Sequence, residues 1–277
     1  MFSIYVSDFI NTFSNPHVKL KLYADDLTVY VTYSKDQAAS AQSHLNSFIT
    51  HLSSWSIQNS LPISVNKCKL LHLGLGNPQY IYSIFNEPIV PTSESVRLLG
   101  LIVDPQLKFN LHITNKCNKA LKTWHFLVRS LKSNSAQILK KVYTTYVLPI
   151  LDFASIIFHR HLTTLSLMEI VQKRITRHIY IRCHIKPIPR YPERLKFLKL
   201  DTISSRHTDL DLRTFQKILS IQLLIDPVHF PVLLNASPIR YKVPLAKLNC
   251  RYHSLFVRVP RLLNAKRIKP TQSAPTI

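Results

Sequence analysis

The sequence predicts an α+β fold in its first hundred residues and a mainly helical fold after them. Two stretches near the N-terminus alternate apolar and polar residues, the period of a β-strand with one buried face. A helical period follows them, and beyond Pro105 helical spacing dominates. With 46% apolar residues the chain can fold, whereas its three glycines exclude Gly-rich phosphate loops. P-loop nucleoside triphosphatases and Rossmann enzymes are therefore not expected.

The N-terminal elements follow from this alternation. Residues 18–24 and 27–31 are predicted strands, and the acidic dipeptide between them is a hairpin turn. The next segment is a helix, because its apolar residues recur every three or four positions. These residues are Ala38, Ala41, Leu45, Phe48, Leu52 and Trp55. Residues 69–73 and 96–103 are predicted as two more strands.

The second part of the chain carries long helical patterns. We expect helices over about residues 110–132, 134–159, 162–182 and 206–225. Three prolines make residues 186–192 a predicted linker. The last fifty residues hold several prolines and many basic residues, which predicts irregular structure with a loose end.

The charge of the chain predicts a polyanionic partner. Lys and Arg number 36 against 14 Asp and Glu, which gives a formal net charge of +22. Nucleic acid is the commonest partner that neutralises such a surplus. Four scattered cysteines without a C-x-x-C pair favour a reducing interior. With no signal peptide and no apolar run long enough to span a bilayer, we expect an intracellular protein without a membrane partner, nuclear or cytoplasmic.

The acidic dipeptide is the strongest candidate for a chemical site. Asp25 and Asp26 are adjacent at a hairpin tip, where two like charges repel each other. Mg²⁺ would remove this repulsion, and a pair of such ions can clamp the oxygens of an in-line phosphoryl transfer. A solvated Asp-Asp turn is the alternative, since Asp is a common turn residue.

An ordered series of motifs relates these residues to a protein family. Tyr23-Ala24-Asp25-Asp26 resembles the Y/F-A-D-D box of reverse transcriptases. Further segments follow in the same order as in that family: Asn66-Lys67-Cys68, Leu98–Asp104 with its Leu-Gly step, Tyr143–Ala154, Glu169–Arg174 and, more weakly, Tyr191–Leu195 and Ser254–Arg258. The series is similar to the polymerase of non-LTR retrotransposons, the LINE or jockey-like elements.

The resemblance implies a fold and a reaction. Residues 1–104 would be the C-terminal part of a right-hand polymerase palm, residues 105–185 a helical thumb-like region, and residues 186–277 a basic, proline-containing C-terminal region. The reaction would be RNA-directed DNA synthesis with Mg²⁺. Its partners would be an RNA template, its cDNA or target DNA and, if the chain is active, deoxynucleoside triphosphates.

The resemblance also assigns roles to single residues. Asp25 and Asp26 would be the metal ligands and, with Lys67 near the incoming triphosphate, the catalytic residues. Tyr23 and Ala24 would lie under the primer terminus. Gly100 would help to grip the primer end.

Part of the family pattern has no counterpart in the sequence. The fingers, the first metal-binding Asp and the nucleotide-pocket segment should precede Met1. We therefore expect an N-terminally truncated fragment that binds Mg²⁺ weakly or not at all and is inactive alone, because losing an electrostatic group of this kind costs orders of magnitude in rate. A non-catalytic nucleic-acid-binding remnant and a decayed fragment without function are the alternatives.

Basic residues on the predicted helices are candidates for phosphate contacts. Those assigned to primer or template binding are Lys116, Lys119, Lys122, Lys173 and Arg177. An ordinary solvated face is the alternative for each of them. Arg174 is predicted within the apolar stripe formed by Leu167, Ile170, Val171 and Ile175. The aromatic residues Trp124, Tyr143, Tyr146, Phe153 and Phe158 could stack on bases, although their helical context favours core positions.

Overall fold

The computed structural model describes residues 6, 8–10, 12–74, 76–92, 94–158, 162–220, 233–234, 237–241, 243 and 254–266. The chain divides into two compact units. The first consists of residues up to Arg97 together with Asp104–Gln106, and the second of Leu98–Val103 and the residues from Leu107 onward. Helices occur together with antiparallel strand pairs, as an α+β fold requires. The assignment of palm and thumb to these segments stays a prediction.

The first unit begins with the predicted hairpin. Strand β1 is Val18–Tyr23 and strand β2 is Asp26–Val31, and they pair antiparallel. Because side chains alternate along a strand, one face carries the apolar partners, such as Leu20 opposite Val29. The opposite face carries Lys19, Lys21, Tyr23, Asp26 and Tyr30, which are all exposed.

Helix α1, Ala38–Gln58, covers the apolar face of this hairpin. Its stripe was predicted at helical spacing, and Phe48 is buried against Phe9 and Val18. The ring of Trp55 lies 5.3 Å from that of Phe9. The core of this unit therefore lies on one side of the hairpin.

A small second hairpin in this unit was not predicted. It joins β3, Tyr82–Ile84, to β4, Glu87–Ile89. The predicted strand over residues 69–73 is wrong, since that segment forms only an isolated bridge from Leu70 to Pro91. A 3₁₀ turn, Val65–Lys67, precedes the bridge.

The single strand predicted over residues 96–103 is also wrong. The chain instead forms β5, Val96–Leu98, and β6, Leu101–Val103. Leu99 and Gly100 turn between them with φ values of +47° and +85°. A turn with both central residues at positive φ matches the twist of a hairpin.

The second unit is built on long helices. Its elements are α2 (Asn110–Ser130), α3 (Ala136–Val142), α4 (Leu148–Asp152), α5 (Leu162–Arg182), α6 (Tyr191–Leu198), α7 (Ile203–Ser220), β7 (Leu233–Leu234), β8 (Ser237–Tyr241) and α8 (Leu255–Lys266). A π-helical turn, Tyr143–Val147, joins α3 to α4. The core contains fully buried Trp124, Tyr143, Ile113 and Ile175.

The helix predictions in this unit are confirmed in part. The expected helices over about 110–132 and 162–182 agree with α2 and α5. The helix predicted over 134–159 ends at Asp152, and the residues after it form turns. The predicted linker runs only to Arg190, because Pro192 occupies the first turn of α6, where a missing N–H costs nothing.

A buried polar network ties α5 to its neighbours. The Tyr143 hydroxyl donates to Gln172 Oε1 over 2.6 Å, and Gln172 Nε2 donates to the Asp201 carbonyl over 2.8 Å. The Tyr191 hydroxyl donates to Glu169, whose other oxygen accepts the Ile203 N–H. Burial and this carboxylate raise the pKa of Tyr191. The network satisfies polar groups that would otherwise be costly inside the core.

Residues near the C-terminus are more ordered than predicted. Helix α8 contains Pro260, yet it carries Arg258 into the interior. The Arg258 guanidinium donates to both oxygens of fully buried Asp211, over 2.8 and 2.7 Å. It also donates to the Ile156 carbonyl over 3.1 Å. The loose end predicted for the last residues lies outside the described residues.

Candidate metal site and nucleic-acid-binding surface

The carboxylate pair lies at the tip of the first hairpin. Tyr23 pairs with Asp26, so that Ala24 and Asp25 form the turn between the strands. Ala24 has φ +53°, a left-handed conformation that non-glycine residues seldom adopt. Such outliers cluster at functional sites. Asp25 lies in the exposed hairpin turn as predicted, whereas Asp26, also exposed, is the first residue of β2.

The surroundings of the pair leave its oxygens open to a cation. Asp26 shares the exposed face of the hairpin with Lys21 and Tyr23, whose side chain is 67% exposed. Over the described ranges, the side-chain carboxylates of Asp25 and Asp26 have no hydrogen-bond or ion-pair partner. In those same ranges no third Asp, Glu, His or Cys completes a metal-binding group. The pair can therefore supply two carboxylate ligands of the kind that Mg²⁺ prefers.

Lys67 ends the 3₁₀ turn in the same unit and is exposed. Cys68 beside it is half-buried, and burial raises the pKa of its thiol. The Lys67 backbone N–H donates to the Ser64 carbonyl over 3.0 Å, whereas its ammonium group has no ion-pair partner among the described residues. Its place near a bound triphosphate stays a prediction.

In the helical unit, two predicted primer-contacting residues meet the same aromatic ring. The Lys116 ammonium lies 3.9 Å from the centre of the Phe153 ring, within cation–π distance. A Cβ atom on Gly100 would lie 3.3 Å from Phe153 Cζ. Phe153 itself is 43% exposed. Phe153 thus lies between the β5–β6 turn and a lysine of α2, an arrangement that sequence spacing could not reveal.

A buried histidine lies next to this cluster of Gly100, Lys116 and Phe153. His112 Nδ1 accepts the Ile102 N–H over 3.2 Å, which leaves the imidazole proton on Nε2. Burial and, to a smaller extent, the Lys116 charge lower the pKa of His112 from 6.5 to about 4. His112 is therefore neutral at physiological pH and links α2 to the β5–β6 hairpin.

The outer face of α2 carries most of the other predicted contacts. Lys119, Lys122 and Arg129 are all exposed and have no ion-pair partner within the described part of the chain. Between Pro105 and Leu151 the sequence has eight Lys or Arg and no Asp or Glu. This region can attract phosphates without an internal acid competing for its charges.

The basic residues of α5 lie in a different environment. Lys173 lies over the Tyr191 ring at 5.3 Å, and its carbonyl accepts a hydrogen bond from Arg194. Burial is the main cause of the lowered pKa of Arg194, and the Arg177 charge lowers this pKa further. Lys173 and Arg177 are both exposed, so they remain accessible to phosphates.

The apolar stripe predicted around Arg174 is only partly buried. Leu167 and Ile170 are 44% and 40% exposed, whereas Val171 and Ile175 are buried. Arg174 lies with the first two on the solvent face of α5. The predicted apolar stripe is wider than the buried face of α5, because the core covers a narrower arc of this helix than its apolar residues span.

The aromatic candidates divide into two groups. Trp124, Tyr143 and Phe158 are buried and belong to the core, as their helical context predicted. Tyr146 and Phe153 are exposed. Sequence reasoning missed Phe126, which is 70% exposed on α2. Its position four residues after Lys122 and three before Arg129 was the signal that could have identified it.

A membrane-crossing element is absent from the described segments: none of their helices combines the necessary length with an apolar composition.

Comparisons with known proteins relate the first part of the chain to a known family. Residues 1–103 match the family model of reverse transcriptase (RNA-dependent DNA polymerase). The chain is also 28% identical over 156 residues to the uncharacterized protein B0403.1 of Caenorhabditis elegans, a match that covers 55% of this chain and 76% of that relative. No solved structure matches the chain. The matched segment contains Asp25, Asp26 and Lys67, and it supports reverse transcriptase function at the level of the family for the first 103 residues.

Proposed function

We propose that this chain is part of the RNA-directed DNA polymerase of a non-LTR retrotransposon. The observation that carries the proposal is the exposed Asp25-Asp26 pair at a hairpin tip within the segment that matches reverse transcriptases. The order of the motifs after Asp26 supports the non-LTR type. Template RNA, cDNA and deoxynucleoside triphosphates are the corresponding partners.

Each residue of the proposed site has a chemical role. Asp25 and Asp26 hold Mg²⁺, which would stabilise the charge that develops on the transferred phosphoryl group. Lys67 neutralises the triphosphate and can protonate the leaving pyrophosphate. Tyr23 and Ala24 support the primer terminus beside the metal.

The polymerase site needs a further carboxylate. The pair alone leaves a divalent cation with few protein ligands, and over the described residues no third acidic group joins it. We therefore propose that the chain by itself binds Mg²⁺ weakly and extends primers only at background rate.

Metal binding gives the first test of this proposal. Mn²⁺ binding to the purified chain, followed by electron paramagnetic resonance, should be weak and should be lost in Asp25→Asn and Asp26→Asn. Asp36→Asn is the matched control, because it removes another exposed carboxylate from the same unit. Equal Mn²⁺ binding by Asp25→Asn and the unchanged chain would contradict the ligand assignment.

Primer extension tests the reaction itself. The purified chain is incubated with an RNA template, an annealed DNA primer, deoxynucleoside triphosphates and Mg²⁺ or Mn²⁺. We expect extension at background, since losing a transition-state electrostatic group costs about 10²–10³ in rate or more. Extension that depends on Asp25 would refute the inactivity and establish the catalytic role of this carboxylate.

A second candidate function is nucleic-acid binding without catalysis. It is favoured by the acid-free basic segment between Pro105 and Leu151. Binding to RNA should weaken steeply with salt, because each neutralised phosphate releases counterions. It should also persist in Asp25→Asn. An affinity that hardly changes between low and physiological salt would contradict phosphate contacts.

A further inference from the structure

We propose that the exposed face of α2 binds single-stranded nucleic acid and that Phe126 stacks on one of its bases. The site consists of Lys119, Lys122, Phe126 and Arg129, and we call it the α2 stripe. The inference rests on the nucleic-acid partner proposed above, but it does not depend on the metal chemistry at the hairpin tip.

The geometry of a helix places these four residues together. At 3.6 residues per turn their side chains fall within an arc of about 80°. The eleven residues from Lys119 to Arg129 span about 15 Å along the axis. The buried residues Ala120, Trp124 and Val128 lie on the opposite side of α2. The α2 stripe is thus a narrow track along the solvent face, with Phe126 between two cations.

Phe126 presents a large aromatic ring on the solvent face of α2. Its side chain is 70% exposed, although α2 buries its other large aromatic residue, Trp124, almost completely. A phenyl ring stacks on nucleobases as well as on other apolar surfaces, and such stacking tolerates any base sequence. The ring therefore suits a ligand that offers flat faces next to phosphates.

The charges around Phe126 select the class of ligand. Lys122 precedes it by one helical turn and Arg129 follows it by nearly one turn, and neither is ion-paired within the described residues. An apolar or acidic protein partner would match only the ring or only the cations. A nucleic-acid strand matches both, because each of its repeating units carries a phosphate and a base.

The same arrangement favours an unpaired strand over a duplex. Bases in a duplex are already stacked and paired, so a single ring on a helix surface cannot reach their faces without unstacking them. The cations of the α2 stripe could bind phosphates of either form. Phe126 is thus the residue that distinguishes single strands from duplexes, for RNA and DNA alike.

The test measures binding by fluorescence anisotropy to a short labelled single-stranded RNA, to single-stranded DNA of the same sequence and to a blunt RNA duplex. We expect Phe126→Ala and Phe126→Leu to weaken single-strand binding about tenfold, whereas Phe126→Trp retains it. Duplex binding should change less than about twofold. Phe197→Ala is the matched control, because it removes another exposed phenyl ring, from α6.

A spectroscopic readout separates stacking from a general loss of affinity. A 2-aminopurine base in the single strand should lose fluorescence on binding, and this quenching should disappear with Phe126→Leu at saturating protein. Lys122→Glu should weaken both single strands and duplexes and reduce the salt dependence. In a Trp55→Phe background, unchanged Trp124 emission would show that each variant keeps its core.

The outcomes distinguish this inference from the proposed function. If no oligonucleotide binds, the nucleic-acid partner itself is refuted. If binding is salt-dependent but Phe126→Leu leaves single-strand affinity within about twofold, only the stacking inference fails. Equal losses for single strands and duplexes would also overturn it.

Discussion

Protonation of His112 should destabilise the helical unit in mild acid. In the folded chain its pKa is lowered from 6.5 to about 4, chiefly by burial and further by Lys116. In the unfolded chain the imidazole is exposed and regains its ordinary pKa. Between these two pH values the unfolded state binds the proton and the folded state does not. The contribution of His112 is therefore complete above about pH 6.5 and is lost as the pH falls toward 4.

The size of the effect follows from the shift in pKa. A difference of about 2.5 units corresponds to at most about 3 kcal/mol, which would be a substantial part of a typical free energy of unfolding. Removing the titrating group should flatten this part of the pH profile. His112→Asn is the suitable change, because an amide oxygen can still accept the Ile102 N–H.

The assay is urea unfolding at a series of pH values from about 4 to about 7. The chain has two tryptophans, Trp55 and Trp124. In a Trp55→Phe background, the emission of buried Trp124 reports the helical unit alone. His125→Asn is the control, since it removes an exposed imidazole from the same helix.

Between about pH 4 and about pH 7, we expect the free energy of unfolding to rise by about 2–3 kcal/mol more in the unchanged protein than in His112→Asn. Parallel profiles for the two proteins would refute the reasoning. They would mean that His112 is hydrated or paired when folded, and that its burial does not disfavour the charge.

Two further predictions concern the same unit. Asp211→Asn should lower its free energy of unfolding by about 3–5 kcal/mol, because the Arg258 charge stays buried without its counter-ion, whereas Asp211→Leu with Arg258→Met should recover most of this loss. A loss below about 1 kcal/mol in the urea assay would contradict the buried pair. Gly100→Ala should lower the free energy of unfolding by about 1–2 kcal/mol because of its positive φ, and further because the new Cβ meets Phe153. Phe153→Leu in that background should recover the part that is due to this contact. Gly74→Ala is the control, because Gly74 has φ +90°, an added Cβ would meet no atom within 4 Å, and the residue lies in the other unit. It should leave the unfolding transition reported by Trp124 unchanged. A Gly100→Ala variant with an unchanged free energy of unfolding would contradict the turn geometry.

The elements that sequence reasoning predicted correctly are those with long, regular patterns. The β1–β2 hairpin has strict alternation, and α2 and α5 each present a sustained apolar face. The tip of the β1–β2 hairpin could be identified as a candidate metal site because Asp25 and Asp26 are adjacent in sequence and need no tertiary contact to come together, and metal binding there stays a prediction.

The turns of the small hairpins could not be predicted from residue type. The β3–β4 turn uses Phe85 and Asn86 at φ +51° and +64°, and Leu99 adopts φ +47°. Phe and Leu rarely occupy the left-handed region, so neither signalled a turn. Local propensity was divided, because Asn86 and Gly100 suit positive φ whereas Phe85 and Leu99 do not.

One further miss comes from a residue that breaks a local rule. Pro260 lies inside α8. Proline inside a helix removes a backbone hydrogen bond, which argued against helix near the C-terminus. The cluster of Gly100, Lys116 and Phe153 joins three distant segments, and no spacing rule relates them.

The contacts of Arg258 have a consequence for the order of folding. Its partners, Asp211 and the Ile156 carbonyl, lie 47 and 102 residues earlier in the chain. During synthesis, Asp211 is therefore added 47 residues before its counter-ion. At about 5–20 residues per second this interval lasts a few seconds. We expect nascent chains arrested before Arg258 to be cut by proteases within the helical unit, and chains released after Lys266 to resist them.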